Sequence, residues 1–113
     1  MCHPSSVDSL STSAAQEDHV SMGGFAARKG VRVVEHVERV LAIELLCSVQ
    51  AMDLLRPLRS TAALERVCAR VREQVNAWTG DRYMAPDIDA AWQLVLRGAV
   101  WDAVKDTVPA ELH

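Results

Sequence analysis

The run Val40–Leu55 constrains this chain more than any other stretch. It is apolar on nearly every side, interrupted only by Glu44, Ser48, Gln50 and Asp53. A helix that is apolar all round must be buried over most of its surface. With its charges and its short length, the run falls below the ~20 mostly apolar residues of a membrane span, so no crossing is expected. The chain has 113 residues, one ordinary domain, and its other helical segments are too short to wrap such an element completely. The expectation is an all-α fold: a long, mostly buried helix plus shorter C-terminal helices, with partner subunits or further chain completing the burial.

The flanking pattern sharpens that picture. Val33, Val37, Val40 and Glu44 share one helical face, while Val34, Leu41, Leu45, Val49 and Met52 line another. Arg32, Glu35, His36 and Glu38 are left for solvent. Upstream, Ser13 followed by Gln16 matches a capping box, in which hydroxyl and amide satisfy orphan N–H groups reciprocally. A helix is therefore expected from about Ala14, with Glu17 and Asp18 in its first turn, where the helix dipole favours negative charge. Gly23-Gly24 and Gly30 weaken it by ~1 kcal/mol each, so a bend or two helices end to end are expected, with close helix packing at the glycine pair. Pro57 ends the long helix, because the residue before proline is pushed out of the α region.

Ser60 and Thr61 can cap a second helix over 62–77, with Leu64, Val67, Cys68, Val71 and Val75 as its apolar stripe. Thr79-Gly80-Asp81 reads as a turn. Pro86 suits the first position of a third helix, with Ile88, Ala91, Trp92, Val95 and Leu96 on its apolar side and Gly98 closing it. Val100, Trp101 and Val104 imply one more short helix before Pro109. Residues 1–12 are Ser-rich and aperiodic, an irregular arm ahead of a helical segment over 13–113. Neither strand alternation nor a repeat is present.

Composition excludes several classes. The net charge of −3 gives no electrostatic reason for nucleic acid or an anionic membrane as partner. Only 4% of residues are aromatic, so the core must be aliphatic. The three cysteines, Cys2, Cys47 and Cys68, are odd in number and lack CxxC spacing; a disulfide framework and a zinc site are both disfavoured, and a reducing compartment fits best. Residues 1–15 carry no basic n-region followed by an apolar h-region, so a signal peptide is not expected and a cytoplasmic location is.

The candidate chemistry is sparse. Glu17 reads either as an acid stabilising a helix start or as a catalytic or ligand-binding carboxylate presented beside an irregular arm. Asp18 and His19 are ambiguous in the same way, and a Glu17–His19 dyad is disfavoured because side chains that close in sequence do not face each other on a helix. His3, His36 and His113 are scattered without metal-ligand spacing, so no metal is expected. Arg56 and Arg59 could grip an anion, although a charged helix end is the ordinary explanation. Pattern alone yields a helical domain with a possible acidic site, and no reaction.

Three blocks add a resemblance. The first runs Ser6-Val7-Asp8-Ser9-Leu10-Ser11-Thr12-Ser13 and continues from Gln16 through Gly23. The second is Ala26-Ala27-Arg28-Lys29 followed by Val40 through Arg56, including Gln50-Ala51-Met52-Asp53-Leu54. The third is Asp81-Arg82-Tyr83-Met84-Ala85-Pro86-Asp87-Ile88. Together they resemble the C-terminal part of the aromatic amino acid ammonia-lyase family, over nearly the entire chain. Ser11 stands where the family usually has proline. The Glu17-Asp18 pair is similar to the histidine-acting branch, which some tyrosine-acting relatives share.

The resemblance implies part of a larger helical-bundle enzyme, a carbon–nitrogen lyase that eliminates ammonia from L-histidine to give trans-urocanate, the first step of histidine degradation. It implies that Glu17 is the active-site acid near the substrate, and that the partners are the remainder of the lyase chain or other subunits of a homotetramer. It also implies the electrophile 4-methylideneimidazol-5-one, which the family forms from an Ala-Ser-Gly triplet. No Ala-Ser-Gly occurs in these 113 residues. The chain is therefore expected to be a fragment, inactive alone. The alternatives are a non-catalytic helical assembly module that docks through Val40–Leu55, or a fragment of a tyrosine-acting lyase.

Overall fold

The computed structural model describes residues 13–16 and 21–107. Among these the chain is helical, with no strand, and it divides into two units, Met1–His36 and Val37–His113. Helix α1 (Gly23–Leu54) runs through 32 residues without a break at Gly24 or Gly30. A side chain at either glycine would meet open space, so neither marks the close packing expected of Gly23-Gly24.

The start of α1 corrects the sequence expectation. The helix opens at Gly23 rather than near Ala14, and Ser21 supplies the cap: its Oγ accepts from the Gly23 N–H at 3.2 Å. Ser13–Gln16 is instead a turn closed by the Gln16 N–H donating to the Ser13 carbonyl at 3.2 Å. Ser13, Ala14 and Ala15 have φ of 52°, 55° and 69°. That left-handed geometry costs L-residues roughly 1–2 kcal/mol each and cannot join a right-handed helix, so the capping box does not form. The expected first turn at Glu17 and Asp18 lies outside the described residues.

In the second unit the elements follow the punctuation of the sequence. α1 stops at Leu54, three residues before Pro57, whose peptide bond with Arg56 is cis. Helix α2 (Ala62–Arg72) is capped by Thr61, whose hydroxyl accepts from the Leu64 N–H at 3.4 Å. It ends at Arg72, not at residue 77, because the Arg72 guanidinium turns back to donate to the carbonyls of Val75 (3.1 Å) and Asn76 (3.3 Å) and holds them in a loop. Val75 still reaches the core from that loop, only 2% exposed.

Helix α3 (Ala85–Leu96) carries Pro86 and Asp87 in its first turn. Gly98, at φ 67°, breaks the chain between α3 and α4 (Ala99–Val104), and a 3-10 turn follows at Lys105–Thr107. This is a left-handed position that glycine occupies without strain. Helix α4 packs on α2, and the Arg66 Nε donates to the Ala103 carbonyl at 2.9 Å. The core is small and aliphatic: Ala42, Leu46 and Val49 from α1, Val67, Cys68 and Val71 from α2, then Val75, Ala91, Leu94 and Ala99. Burial of α1 in this unit is one-sided. Val37, Val40, Leu41 and Ile43 remain 43–61% exposed, so the apolar circumference read from the sequence is only partly covered.

Candidate functional site

Glu17, Asp18 and His19, with His3 and His113, lie outside the described residues. His36 is exposed on α1. Among the described residues, no group of three His, Cys, Asp or Glu is arranged to hold a metal, and no helix is long and apolar enough to cross a membrane. In the second unit Gln50, Asp53, Arg72 and Arg82, none of them expected as a site residue, form a structural clamp.

That clamp centres on Gln50. Its Oε1 accepts from the Trp78 N–H at 2.8 Å and from Arg72 Nη2 at 3.2 Å, while its Nε2 donates to the Trp78 carbonyl at 3.2 Å. One amide thus pairs with both backbone groups of Trp78, as an adjacent strand would. Arg72 also donates through Nε to Asp53 Oδ2 at 2.8 Å. Farther along the loop, Arg82 donates to the carbonyls of Asn76 (2.9 Å) and Ala77 (3.1 Å) and, through Nε, to Asp87 Oδ2 at 2.8 Å. Two arginines therefore satisfy the loop carbonyls that have no helical partner. Both ion pairs are mostly shielded from solvent, at 20%/26% and 31%/20% side-chain exposure, so their charge-assisted bonds gain strength from a lowered local dielectric.

The other candidates resolve similarly. Arg56 grips Glu65 with both terminal nitrogens at 2.8 and 2.9 Å, and Arg59 stands 3.9 Å from the same carboxylate. No anion is needed to explain either arginine. These bonds from Arg56, together with the Ser60 N–H, lower the Glu65 carboxyl to about 2. Cys68 is buried with its Sγ 3.2 Å from Met52 Sδ, and burial pushes its thiol up, which is the signature of a structural cysteine. Arg39 stacks 4.0 Å from the Trp92 ring centroid and pairs with Asp89 at 2.9 Å, while Trp92 Nε1 donates to Glu38 at 3.3 Å.

Beside the clamp lies a trough of about 430 Å³ between the C-terminal half of α1 and the loop over 75–84. Its lining is apolar, including Ile43, Cys47, Leu54, Trp78, Met84 and Ile88. Gln50, Arg72 and Arg82 contribute to its wall, but their polar groups are engaged in the clamp. Sequence reading missed this role of Gln50, Asp53 and Arg72. The signal was present: they are polar residues set into or beside an otherwise apolar helical face, where an unpaired group would be costly.

Comparison with known proteins decides what these motifs belong to. Residues 1–73 match the family model for aromatic amino acid lyases. The chain belongs to the aromatic amino acid lyase family. It is 64% identical over 102 residues to histidine ammonia-lyase of Homo sapiens, covering 90% of this chain and 16% of that protein. Among solved structures, histidine ammonia-lyase from Trypanosoma cruzi superposes with a TM-score of 0.87 at 58% identity, over 97% of this chain and 22% of that one. The tyrosine aminomutase of Streptomyces globisporus superposes with a TM-score of 0.79 at 32% identity, over 91% of this chain and 20% of that one. The chain thus spans about a sixth of the human relative's length, and the lyase motifs at Gln50–Arg56 and Asp81–Ile88 serve here as the anchors of a helical fold.

Proposed function

We propose that these 113 residues are a segment of a histidine ammonia-lyase, an irregular arm over 1–12 and a helical part over 13–113, that carries the active-site acid Glu17. In the assembled enzyme the reaction is loss of ammonia from L-histidine to give trans-urocanate. The observation that carries the reading is the contrast in identity, 58% to a histidine ammonia-lyase structure against 32% to a tyrosine aminomutase structure. It favours the histidine-acting branch over the tyrosine-acting one.

Glu17 suits this substrate by chemistry. A carboxylate accepts a hydrogen bond from an imidazole N–H, which a phenyl ring lacks, and it can take up or return a proton. The electrophile 4-methylideneimidazol-5-one does not fit this chain. There is no Ala-Ser-Gly to form it, and the trough offers an apolar lining whose polar neighbours are already paired. That group must come from the remainder of the lyase chain, so the 113 residues alone are inactive. The same reading places the enzyme in the cytoplasm, as a homotetramer in histidine degradation.

The test follows urocanate absorbance with L-histidine as substrate. The purified chain alone gives no sustained turnover; combined with the remainder of a lyase chain it does. Glu17→Gln then lowers kcat by about 10²–10⁴-fold, the range for one general acid or base. Turnover by the chain alone, or full activity in the glutamine variant, overturns the assignment. The exposed flank of α1 at Val37, Val40, Leu41 and Ile43 supports a second reading, a non-catalytic assembly module. Failure to restore activity with any lyase partner favours that module.

A further inference from the structure

We infer that Ser21 is a positioning residue for Glu17: its hydroxyl, bonded to the Gly23 N–H, fixes the point at which the stretch carrying the acid joins α1. This rests on the proposed function, since it takes Glu17 as the active-site acid.

Two fixed points flank that acid in the first unit. On one side is the turn Ser13–Gln16, closed by the Gln16 N–H on the Ser13 carbonyl at 3.2 Å, with three successive residues at positive φ. Backbone strain of that kind persists only where the surroundings demand it, and it collects at functional sites. On the other side is the start of α1, where Ser21 Oγ accepts from the Gly23 N–H at 3.2 Å and the Met22 carbonyl accepts from the Ala26 N–H at 3.0 Å. Only residues 17–20 lie between these points in the sequence. Four residues reach at most about 14 Å when fully extended, so the acid, first after the turn, is on a short tether with both ends held. Releasing Ser21 frees one end.

The glycine pair keeps room for this bond. A β-carbon at Gly23 would come within 3.2 Å of Ser21 Oγ, closer than ordinary van der Waals contact, whereas one at Gly24 would meet nothing. Alanine would favour the helix at either position, so only the contact with Ser21 separates the two. The first turn of α1 also carries no acidic residue. Its N–H groups have no helical acceptor, and among the described residues Ser21 is the side chain that takes one up.

The experiment builds the full 113-residue chain into the Trypanosoma cruzi histidine ammonia-lyase in place of its matching segment and follows urocanate formation from L-histidine. Ser21→Ala is expected to lower kcat about 10- to 100-fold with KM changed less than about threefold, the scale for misplacing a reacting group by up to an ångström. Ser21→Thr, which keeps the hydroxyl, restores most of the rate. Gly23→Ala lowers kcat in the same direction, and Gly24→Ala leaves it within about twofold. In a Glu17→Gln background, Ser21→Ala costs less than about a further twofold, because a residue that acts through the acid has nothing left to place. An equal loss from Ser21→Ala in both backgrounds makes Ser21 an ordinary helix cap and overturns the inference. A wild-type rate in Ser21→Ala beside an impaired Glu17→Gln overturns it too, while leaving the acid reading standing. If Ser21→Ala fails to fold, judged by far-ultraviolet circular dichroism, the glycine pair decides: equal rates in Gly23→Ala and Gly24→Ala overturn the inference. Full activity in Glu17→Gln, or an inactive parent chimera, removes the lyase reading and the role of Ser21 with it.

Discussion

The two units of the chain differ in what holds them. Among the described residues, every buried hydrophobic one lies in the second: Ala42 through Ala99 form one aliphatic core, and Gln50, Asp53, Arg56, Arg72 and Arg82 fasten loops and caps around it. Among the described residues of the first unit none is buried; the opening turns of α1 there carry Phe25, Val31, Val33 and Val34 at 48–61% exposure. Yet the one residue proposed for chemistry, Glu17, belongs to the first unit. The half with a core is spent on its own stability, while the half assigned the acid shows no buried residue among those described. A catalytic carboxylate must be held to within a fraction of an ångström, which requires a surrounding shell. On the proposed function that shell comes from the remainder of the lyase chain.

Matched aspartate substitutions are the strongest way to break that comparison. Val49, at 2% exposure, sits among the core side chains, where an ionised carboxylate finds no partner. Val49→Asp should cost about 4 kcal/mol or more, enough to unfold a domain of this size. Val33, at 50% exposure in the first unit, should tolerate the same change within about 0.5 kcal/mol in the isolated chain. Urea denaturation of both variants, followed by far-ultraviolet circular dichroism, checks the pair. An equal loss at Val33 would mean that the first unit buries more than its exposure indicates.

How much of this was legible in the sequence depends on which physical signal each element uses. The helices at Ala62–Arg72 and Ala85–Leu96 announce themselves through Thr61, Pro86 and Gly98, because caps and breakers act within a few residues. The end of α2 did not, since Arg72 stops it by bonding to carbonyls beyond its own turn, a contact no periodicity encodes. The start of α1 misled for a related reason: Ser13 and Gln16 have the side chains of a capping box, but the left-handed backbone at Ser13–Ala15 overrides them. Leu94 was missed as a core residue because the stripe of Ile88, Ala91, Trp92, Val95 and Leu96 set the apolar face beside it, whereas Leu94 is 6% and Leu96 46% exposed. For the site, Glu17 came from the motif and not from geometry. The clamp around Gln50 pairs groups 22–28 residues apart, beyond the reach of local pattern.

The clamp gives a smaller and sharper test within the second unit. Arg72→Ala removes bonds to Asp53, Gln50 and two loop carbonyls at once. Because the partners left behind are partly buried, the cost should be about 1–3 kcal/mol, short of unfolding. The loop over 75–84 should loosen first, seen as faster amide exchange at Trp78 and a red shift in tryptophan emission, with the helices intact. Arg72→Lys should recover little, because an ammonium cannot span Asp53, Gln50 and the loop carbonyls as the planar guanidinium does.

The smallest effect belongs to Glu65, whose partner Arg56, at 36% side-chain exposure, stands nearer to solvent than Arg72 or Arg82 and is screened by it. In the folded chain its carboxyl is lowered from 4.5 to about 2, first by the Arg56 hydrogen bonds and then by the Ser60 N–H. The unfolded chain therefore takes up a proton at higher pH than the folded one. The contribution of Glu65 is fully present above the unfolded value, declines as pH falls below 4.5, and is gone once pH passes below about 2. Other carboxylates titrate in the same window, so the informative quantity is the difference in urea midpoint between the wild-type chain and Glu65→Gln. That difference should be constant from pH 7 to about 5 and shrink steadily toward pH 2. High salt should reduce it at every pH. A difference that stays level through the acid range would mean that Glu65 caps the Ser60 N–H as a neutral acceptor and that Arg56 contributes nothing through charge.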